Sequence, residues 1–176
     1  MRIDHIAYRV ANRDLAAEFL INAFGYKIED DFSINFDDGT SAICYALTSS
    51  DIKDSSNVVN SMCIYNDDVY YPPPQIFVSE GTEGSIVKEW VTKRGGVGGV
   101  HHIAYQTDDV ASAMRKWNDN GWAEFTTEEP IVSDGLHQCF TKPHPVTGVI
   151  YEIISRTSKG FNVDNVKNLM ESTKDI

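Results

Sequence analysis

Two histidines open identical tetrapeptides in this chain. The sequence His-Ile-Ala-Tyr begins at His5 and again at His102. Alternate side chains of a β-strand point to the same face, so His5 shares a face with Ala7, and His102 shares one with Ala104. A single histidine in a strand is more often structural. A repeated one beside a small alanine favours two equivalent ligands for a metal ion.

A carboxylate, Glu152, interrupts an otherwise apolar stretch that continues with Ile153 and Ile154. Burying it is unfavourable unless a cation or a metal ion accompanies it. The alternatives are an edge strand on which Glu152 faces solvent, or an ion pair with Arg9 or Arg156. Two histidines and one carboxylate form the ligand set of non-heme Fe(II) oxygenases, and the same set suits zinc, cobalt or manganese.

Each tetrapeptide is followed by the signals of a helix. Asn12 and Asp109 are candidate N-caps, and Gly25 and Gly121 are candidate stops. The same signals after the same four residues indicate a duplicated unit. The apolar positions predicted to face the core are Leu15, Phe19, Leu20, Ala23 and Phe24 in the first helix, and Val110, Ala113, Met114 and Trp117 in the second.

Short β-rich segments separated by turn residues follow each helix. The chain is therefore predicted to be α+β, with two tandem β-α-β-β-β modules at about 1–80 and about 101–156. A glycine-rich linker at about 81–100 joins them, and the stretch 49–68 is predicted as a loop insertion and candidate lid. The predicted strands after the helices are 27–34, 41–47, 75–79, 123–127, 136–141 and 149–155.

Gln75 and His101 are further candidates near the predicted ligands. By the symmetry of the modules, Gln75 corresponds to Glu152, so its amide oxygen is a candidate fourth metal ligand or a hydrogen-bonding group for substrate. An ordinary glutamine at a strand start is an equal alternative. His101 is expected to point away from His102, which leaves it a supporting or structural role.

The composition excludes several classes of function. The 176 residues carry 15 Lys+Arg and 26 Asp+Glu, a formal charge of −11, which argues against nucleic-acid binding. No apolar run approaches the ~20 residues of a membrane span. No apolar stretch follows a basic start, so a cytoplasmic location is expected. The three cysteines, Cys44, Cys63 and Cys139, lack the spacing of a metal site and are predicted to be reduced thiols, mostly buried.

These features resemble the vicinal oxygen chelate superfamily, which includes glyoxalase, methylmalonyl-CoA epimerase and hydroxyphenylpyruvate dioxygenase. The resemblance rests on the two modules beginning with His-Ile, the glutamate in the last strand and the glycine-rich approach to His101. It spans nearly the whole chain. It implies a glyoxalase-like fold, in which a curved mixed or antiparallel sheet surrounds a metal held by His5, His102 and Glu152.

The C-terminal part resembles the end of the catalytic domain in the 4-hydroxyphenylpyruvate dioxygenase family, over residues 138–143, 151–156 and 160–169. This implies an Fe(II) dioxygenase that acts on a 2-oxo acid or a related small molecule. Gln138 would be a polar group of the catalytic pocket. Phe161 and Asn165 would contact substrate from a closing helix at about 160–174.

The methylmalonyl-CoA epimerase family supplies an alternative, a metal-dependent epimerase or isomerase that moves a proton next to the carbonyl of an acyl-CoA or a polyol-like ketone. Gln75 stands where that family has a fourth ligand, and Asp38 lies near its proposed catalytic base. A dioxygenase tolerates only three protein ligands, because its keto acid and O2 occupy the other positions. A non-catalytic protein that binds a small ligand is a third alternative, and a homodimer is a further expectation.

Overall fold

The computed structural model of the chain describes residues 1–49, 58–59, 62–65, 68–70, 73–133, 135–156 and 161–174. None of the helices in these ranges is long and apolar enough to cross a membrane. The first half contains β1 (Arg2–Val10), α1 (Arg13–Phe24), β2 (Tyr26–Asn35), β3 (Ser41–Ser49), β4 (Val58–Val59), β5 (Met62–Tyr65), β6 (Asp68–Tyr70) and β7 (Gln75–Gly81). The second contains α2 (Ile86–Lys93), β8 (Gly98–Gln106), α3 (Val110–Asp119), β9 (Ile131–Ser133), β10 (Leu136–Phe140), β11 (Ile150–Arg156) and α4 (Val163–Ser172).

Eight strands form one mixed sheet in the order β2-β3-β7-β1-β8-β11-β10-β9. At its centre β1 and β8 are antiparallel, whereas β1 pairs with β7, and β8 with β11, in parallel. The two halves of the sheet therefore repeat one arrangement on either side of the β1 and β8 pair. This architecture confirms the predicted α+β class with two tandem β-α-β-β-β modules.

The predicted N-caps begin two helices. The side chain of Asn12 accepts a hydrogen bond from the backbone N–H of Leu15, and that of Asp109 accepts one from the N–H of Ser112, both at 2.9 Å. Each satisfies a donor that the first helical turn leaves unpaired. Gly25 ends α1 with φ 70°, a left-handed conformation that glycine adopts without strain.

The predicted apolar face of α1 is wrong. Leu15, Phe19 and Phe24 are all more than half exposed, and α1 packs on the sheet through Ala17 and the partly buried Leu20. The helix carries two apolar stripes, and the one that contains the small Ala17 allows the closer approach to the sheet.

The predicted face of α3 is confirmed. Val110, Ala113 and Met114 are buried against Cys139 of β10 and Ile153 of β11. In the strand register these two sheet residues lie on the face that α1 also covers. The opposite face of the sheet is therefore left for the other helices and for the predicted ligands.

The closing helix is present as α4, and residue 160 lies outside the described residues. Its buried side chains Val166, Leu169 and Met170 recur at spacings of three and four residues. Val166 and Met170 join the core around Phe77 of the first module, and Leu169 packs with Phe140 of the second. Helix α4 therefore spans both modules.

Three other stretches differ from the prediction. The predicted linker contains α2, and the predicted strand 123–127 is reduced to one bridge between Phe125 and Thr141, with β9 forming further along the chain. In the stretch 49–68, β3 continues to Ser49, and parts of β4, β5 and β6 form a separate sheet. The candidate lid otherwise lies outside the described residues.

Strand β8 begins at a close approach to β1. Gly98 pairs with Val10 and has φ 92°, and a Cβ at this position would lie 2.0 Å from the carbonyl oxygen of Arg9. Only glycine fits here without displacing the neighbouring backbone. The glycine-rich run thus allows the two modules to meet along their central strands.

Candidate metal centre

Three neighbouring strands place His5, His102 and Glu152 on one face of the sheet. In the register, Ala104 of β8 lies between His5 of β1 and Glu152 of β11, and Ala7 lies beside His102. Both alanines are buried. Their methyl groups leave space above the sheet, and the three larger side chains converge into it. The structure therefore brings the three predicted ligands together.

The donor atoms of these side chains form an equilateral triangle. His5 Nε2, His102 Nε2 and Glu152 Oε2 are 3.2 Å apart in each pair. Metal–ligand bonds of about 2.0–2.2 Å, at tetrahedral or octahedral angles, hold neighbouring donor atoms about 3.0–3.5 Å apart. The three side chains therefore fit a divalent metal ion of the size of zinc or iron(II).

Glu152 is the buried anion of this cluster. It is 1 % exposed, and neither carboxylate oxygen has an aligned hydrogen bond within the described ranges, although two imidazole nitrogens lie at ion-pair distance. Burial alone would raise the pKa of Glu152, but the two histidines outweigh it and hold the pKa below its ordinary value. An ionised, under-coordinated carboxylate between two imidazoles is the kind of ligand set that suits a divalent cation.

The pKa values of the His5 and His102 imidazoles are shifted in opposite directions. Burial lowers the pKa of both. For His5, the charge of Glu152 and the hydrogen bond and charge of Asp4 outweigh burial, and its pKa is raised overall. For His102, burial prevails over Glu152 and its pKa is lowered, which favours the neutral ring that binds metals.

A bulge in β1 turns Asp4 toward His5. The pairing of β1 with β8 skips one residue between Ile3 and His5, so Asp4 has no partner in β8, and such an extra residue re-aims a side chain. His5 Nδ1 donates to Asp4 Oδ1 at 2.8 Å, and Arg156 forms an ion pair with the same oxygen. With Nδ1 protonated, His5 presents the lone pair of Nε2 to the cluster.

The second module has an equivalent bulge at His101. The register shifts between Ala7 and Tyr8, which leaves His101 without a partner in β1. The prediction that His101 points away from His102 is therefore wrong, because the bulge brings the Nδ1 atoms of the two rings within 2.8 Å. Burial and Arg9 lower the pKa of His101 well below its ordinary value. Its neutral ring accepts from His102 Nδ1 and leaves His102 Nε2 free for the cluster.

The side chain of Gln75 turns away from the three donor atoms. Its amide nitrogen donates to Glu29 Oε2 of β2 at 2.7 Å in an exposed hydrogen bond. Gln75 is also not one of the residues that line the cavity above the cluster. The structure therefore does not bring Gln75 to the other predicted ligands, and its roles as a fourth ligand or a substrate-binding group gain no support from this arrangement.

The register shows why the symmetry argument failed. In the second module, Glu152 lies beside Ala104. In the first module, the residue beside the equivalent Ala7 is Phe77, not Gln75. Aligning the last strands by their starts therefore placed the counterpart of Glu152 two residues too early. The position of a fourth ligand is occupied by an apolar ring.

A cavity of about 50 Å³ lies above the ligand atoms, between the sheet and α4. Gln138, Phe161 and Asn165, the predicted pocket residues, all line it. Gln138 and Asn165 are each 1 % exposed. Within the described part of the chain, the amide nitrogen of Gln138 and both amide polar atoms of Asn165 lack hydrogen-bond partners. Such groups are unfavourable unless a bound molecule satisfies them.

Aromatic rings form the remaining wall around the histidines. Phe161 meets His5 edge-on with 5.1 Å between ring centres, and Phe140 meets His102 at 4.8 Å. Phe77 packs against Phe161 at 5.0 Å. These rings shield the cluster from water and strengthen its electrostatic interactions.

Asp38 lies outside the cavity, in the exposed turn between β2 and β3. Its carboxylate accepts hydrogen bonds from the hydroxyl and the backbone N–H of Thr40, at 2.7 and 2.9 Å, and these bonds lower its pKa. This carboxylate stabilises a turn, and the structure does not bring it to the cluster, so the predicted role of Asp38 as catalytic base gains no support.

The sequence analysis did not name Asp4, and it named Arg9 only as an alternative ion-pair partner of Glu152. Arg9 is 3 % exposed and lines the cavity, and its alternation with His5 was a signal that could have identified it. Asp4 reaches His5 only through the bulge, which has no clear signature in the sequence. Among the described residues, Glu152 forms its ion pairs with His5 and His102 and not with Arg9 or Arg156.

A protein-family model matches most of the chain. The profile described as "Glyoxalase/Bleomycin resistance protein/Dioxygenase superfamily" matches residues 4–140. No curated protein sequence matches the chain.

Solved structures of several enzymes are similar to this chain. A selenomethionine form of methylmalonyl-CoA epimerase has a TM-score of 0.62 at 22 % identity, covering 90 % of this chain and 97 % of the epimerase. A variant of Streptomyces coelicolor methylmalonyl-CoA epimerase with 2-nitronate-propionyl-CoA gives 0.57 at 22 %, covering 90 % and 99 %. A variant of 4-hydroxymandelate synthase from Streptomyces coelicolor gives 0.73 at 18 %, covering 99 % of this chain and 53 % of the synthase. At these identities the likeness shows the fold alone.

Proposed function

The chain belongs to the glyoxalase/bleomycin resistance protein/dioxygenase superfamily, and we propose that it is a divalent-metal-dependent dioxygenase of a small 2-oxo acid. The observation that carries the proposal is the triangle of donor atoms from His5, His102 and Glu152, 3.2 Å apart and facing the cavity. These residues would hold Fe(II). Bound there, the metal supplies Lewis-acid polarisation of two neighbouring substrate oxygens and the redox capacity to use O2.

The number of protein ligands supports an oxygenase. Phe77 occupies the position where the symmetry of the modules would supply a fourth ligand. Three protein ligands leave room for a bidentate keto acid and O2 on one metal ion. A fourth ligand would remove one of these positions.

The other residues around the cluster bind and orient. Asp4 and His101 hold the two imidazoles by their Nδ1 atoms, so that each Nε2 presents a lone pair. The amides of Gln138 and Asn165 offer donors and an acceptor for the polar groups of substrate. Phe161 and α4 exclude water from the site.

A metal-dependent epimerase is the second candidate, since an epimerase structure is covered over 97 % of its length. This reaction requires a group that removes a proton from carbon. Among the described residues that line the cavity, Glu152 is the one carboxylate, and the proposal assigns it to the metal. The neutral imidazole of His101 is engaged through Nδ1 with His102 and orients that ring. The cavity therefore supports the oxygenase better. A protein that binds a ligand without turnover is the third candidate.

Oxygen uptake tests the proposal. The protein is loaded with Fe(II) under anaerobic conditions and mixed with each of a panel of 2-oxo acids in an oxygen electrode. We expect O2 uptake that equals the loss of one 2-oxo acid, that disappears in His102→Ala and that persists in Gln75→Ala, because Gln75 lies outside the site. Exchange of a carbon-bound proton with deuterated water, without O2 uptake, would overturn the dioxygenase in favour of the epimerase. Bound metal with neither reaction would contradict both.

A further inference from the structure

Arg9 is a buried cation in the wall of the cavity. It is 3 % exposed, and its Nη2 donates to Thr173 Oγ1 at 3.2 Å. Its guanidinium lies 5.9 Å from the centre of the Trp90 ring. In the described ranges, the ion pairs formed by arginines involve Arg13 and Arg156 and not Arg9. Arg9 therefore has no carboxylate partner in the part of the chain that the structure describes.

A buried cation without a counter-ion is unfavourable. Burial, together with the like charge of Arg94, lowers the pKa of Arg9 to about 9, so the side chain is still charged at neutral pH. The other arginine of the cavity, Arg156, has Asp4 as its partner. The contrast indicates that the charge of Arg9 is available to a molecule bound in the cavity.

The position of Arg9 relative to the metal centre suits an elongated substrate. Arg9 and His5 lie on the same face of β1, four residues apart, which separates their Cα atoms by about 13 Å. Both line the same cavity. A substrate with its oxo-acid end at the three ligands therefore extends along β1 toward the guanidinium.

We infer that Arg9 binds a carboxylate at the far end of the substrate, so that the substrate is a 2-oxo dicarboxylic acid. A guanidinium presents two parallel N–H donors that match the two oxygens of a carboxylate. The inference rests on the proposed function, because it places the 2-oxo acid end at the metal.

Calorimetric titration of the zinc-loaded protein tests the inference, since zinc does not react with O2. The probes are 2-oxoglutarate and 2-oxopentanoate, which differ in the carboxylate or methyl group at the far end. We expect wild-type protein to prefer 2-oxoglutarate by about tenfold or more. In Arg9→Gln this preference falls to about twofold or less, while the zinc content and the affinity for 2-oxopentanoate stay as in wild type.

A matched control separates charge from helix packing. Thr173→Val removes the hydrogen bond between Arg9 and the C-terminal end of α4 but keeps the guanidinium, so it should retain the preference. Equal binding of the two probes by wild type overturns the inference. If Arg9→Gln keeps the wild-type preference for 2-oxoglutarate, the inference is overturned too. It is also overturned if Thr173→Val loses as much of this preference as Arg9→Gln does.

Failure of the metal site is distinguished by a second titration. If the protein binds no zinc, the proposed function fails, and glutarate is titrated into the metal-free protein. Glutarate binding that is lost in Arg9→Gln then supports the carboxylate site at Arg9. Glutarate that does not bind, or that binds wild type and Arg9→Gln alike, overturns it.

Discussion

Asp4 and His101 occupy equivalent positions in the two modules, and each lies at a β-bulge directly before a predicted metal ligand. Each side chain contacts the Nδ1 atom of the histidine that follows it, at 2.8 Å. One partner is a carboxylate and the other a neutral imidazole, yet both leave the Nε2 atom of that histidine facing the cluster. The duplicated bulge therefore orients both imidazoles, although the residue types have diverged.

Asp4→Asn should weaken metal binding about 10- to 100-fold. The substitution removes the negative charge that orients His5 and pairs with Arg156, while it preserves the size of the side chain. Competition for Zn²⁺ with a chromophoric chelator measures the effect. Asp38→Asn, in an exposed turn, is the control and should leave the affinity unchanged. Equal affinities for Asp4→Asn and wild type would contradict the orienting role of Asp4.

Asn165→Leu should stabilise the metal-free protein by about 1 kcal/mol, since it removes two buried polar atoms that lack partners within the described residues. The same change should weaken substrate binding. Urea denaturation measures the free energy of unfolding, with Asn118→Leu on an exposed site of α3 as the control, expected within ~0.5 kcal/mol of wild type. A loss of stability in Asn165→Leu would indicate that the amide is satisfied in the free protein.

Gly98→Ala should destabilise the protein by at least about 2 kcal/mol. Its Cβ would lie 2.0 Å from the carbonyl oxygen of Arg9, and φ is 92°. Gly96→Ala is the control, because Gly96 also has a positive φ, 83°, but no neighbouring atom within 4 Å, and its cost should stay near 1 kcal/mol. Urea unfolding of both variants tests the difference. Equal costs would contradict the close approach of β8 to β1.

Cys44 and Cys139 should resist alkylation in the folded protein. Burial raises the pKa of both thiols to about 12, so they remain protonated at pH 8, and the thiolate is the reactive form. Labelling with iodoacetamide, mapped by peptide mass spectrometry, should modify both residues only after denaturation. Labelling of either thiol in the native protein at the rate of a free thiol would be inconsistent with this burial.

Much of the architecture follows from the repeated tetrapeptide and the helix signals after it. Alternation along the strands correctly grouped His5 with Ala7, and burial of Glu152 followed from its apolar neighbours. These local patterns are kept in the fold because each bulge lies before its histidine, and the alternation is regular from His5 to Ala7 and from His102 to Ala104. The metal-binding roles of the three residues and the expected homodimer stay predictions.

The errors come from features that the local sequence does not encode. Two bulges change the side-chain direction of Asp4 and His101, and a one-residue insertion in a strand leaves no clear mark in composition. The misplacement of Gln75 arose from strand register, which depends on the partner strand. Helix α1 has two apolar stripes, and which of them faces the sheet depends on packing against the strands, which the helix sequence alone does not show.

Metal analysis of the protein purified under anaerobic conditions tests the central claim most directly. The metal content of wild type and of His102→Ala is measured by elemental mass spectrometry, first as purified and again after reconstitution with Fe(II). We expect about one iron per chain in wild type and near none in His102→Ala, because loss of one of three ligands removes most of the affinity. Equal iron in the two proteins, or no metal in wild type after reconstitution, would contradict a metal centre at His5, His102 and Glu152.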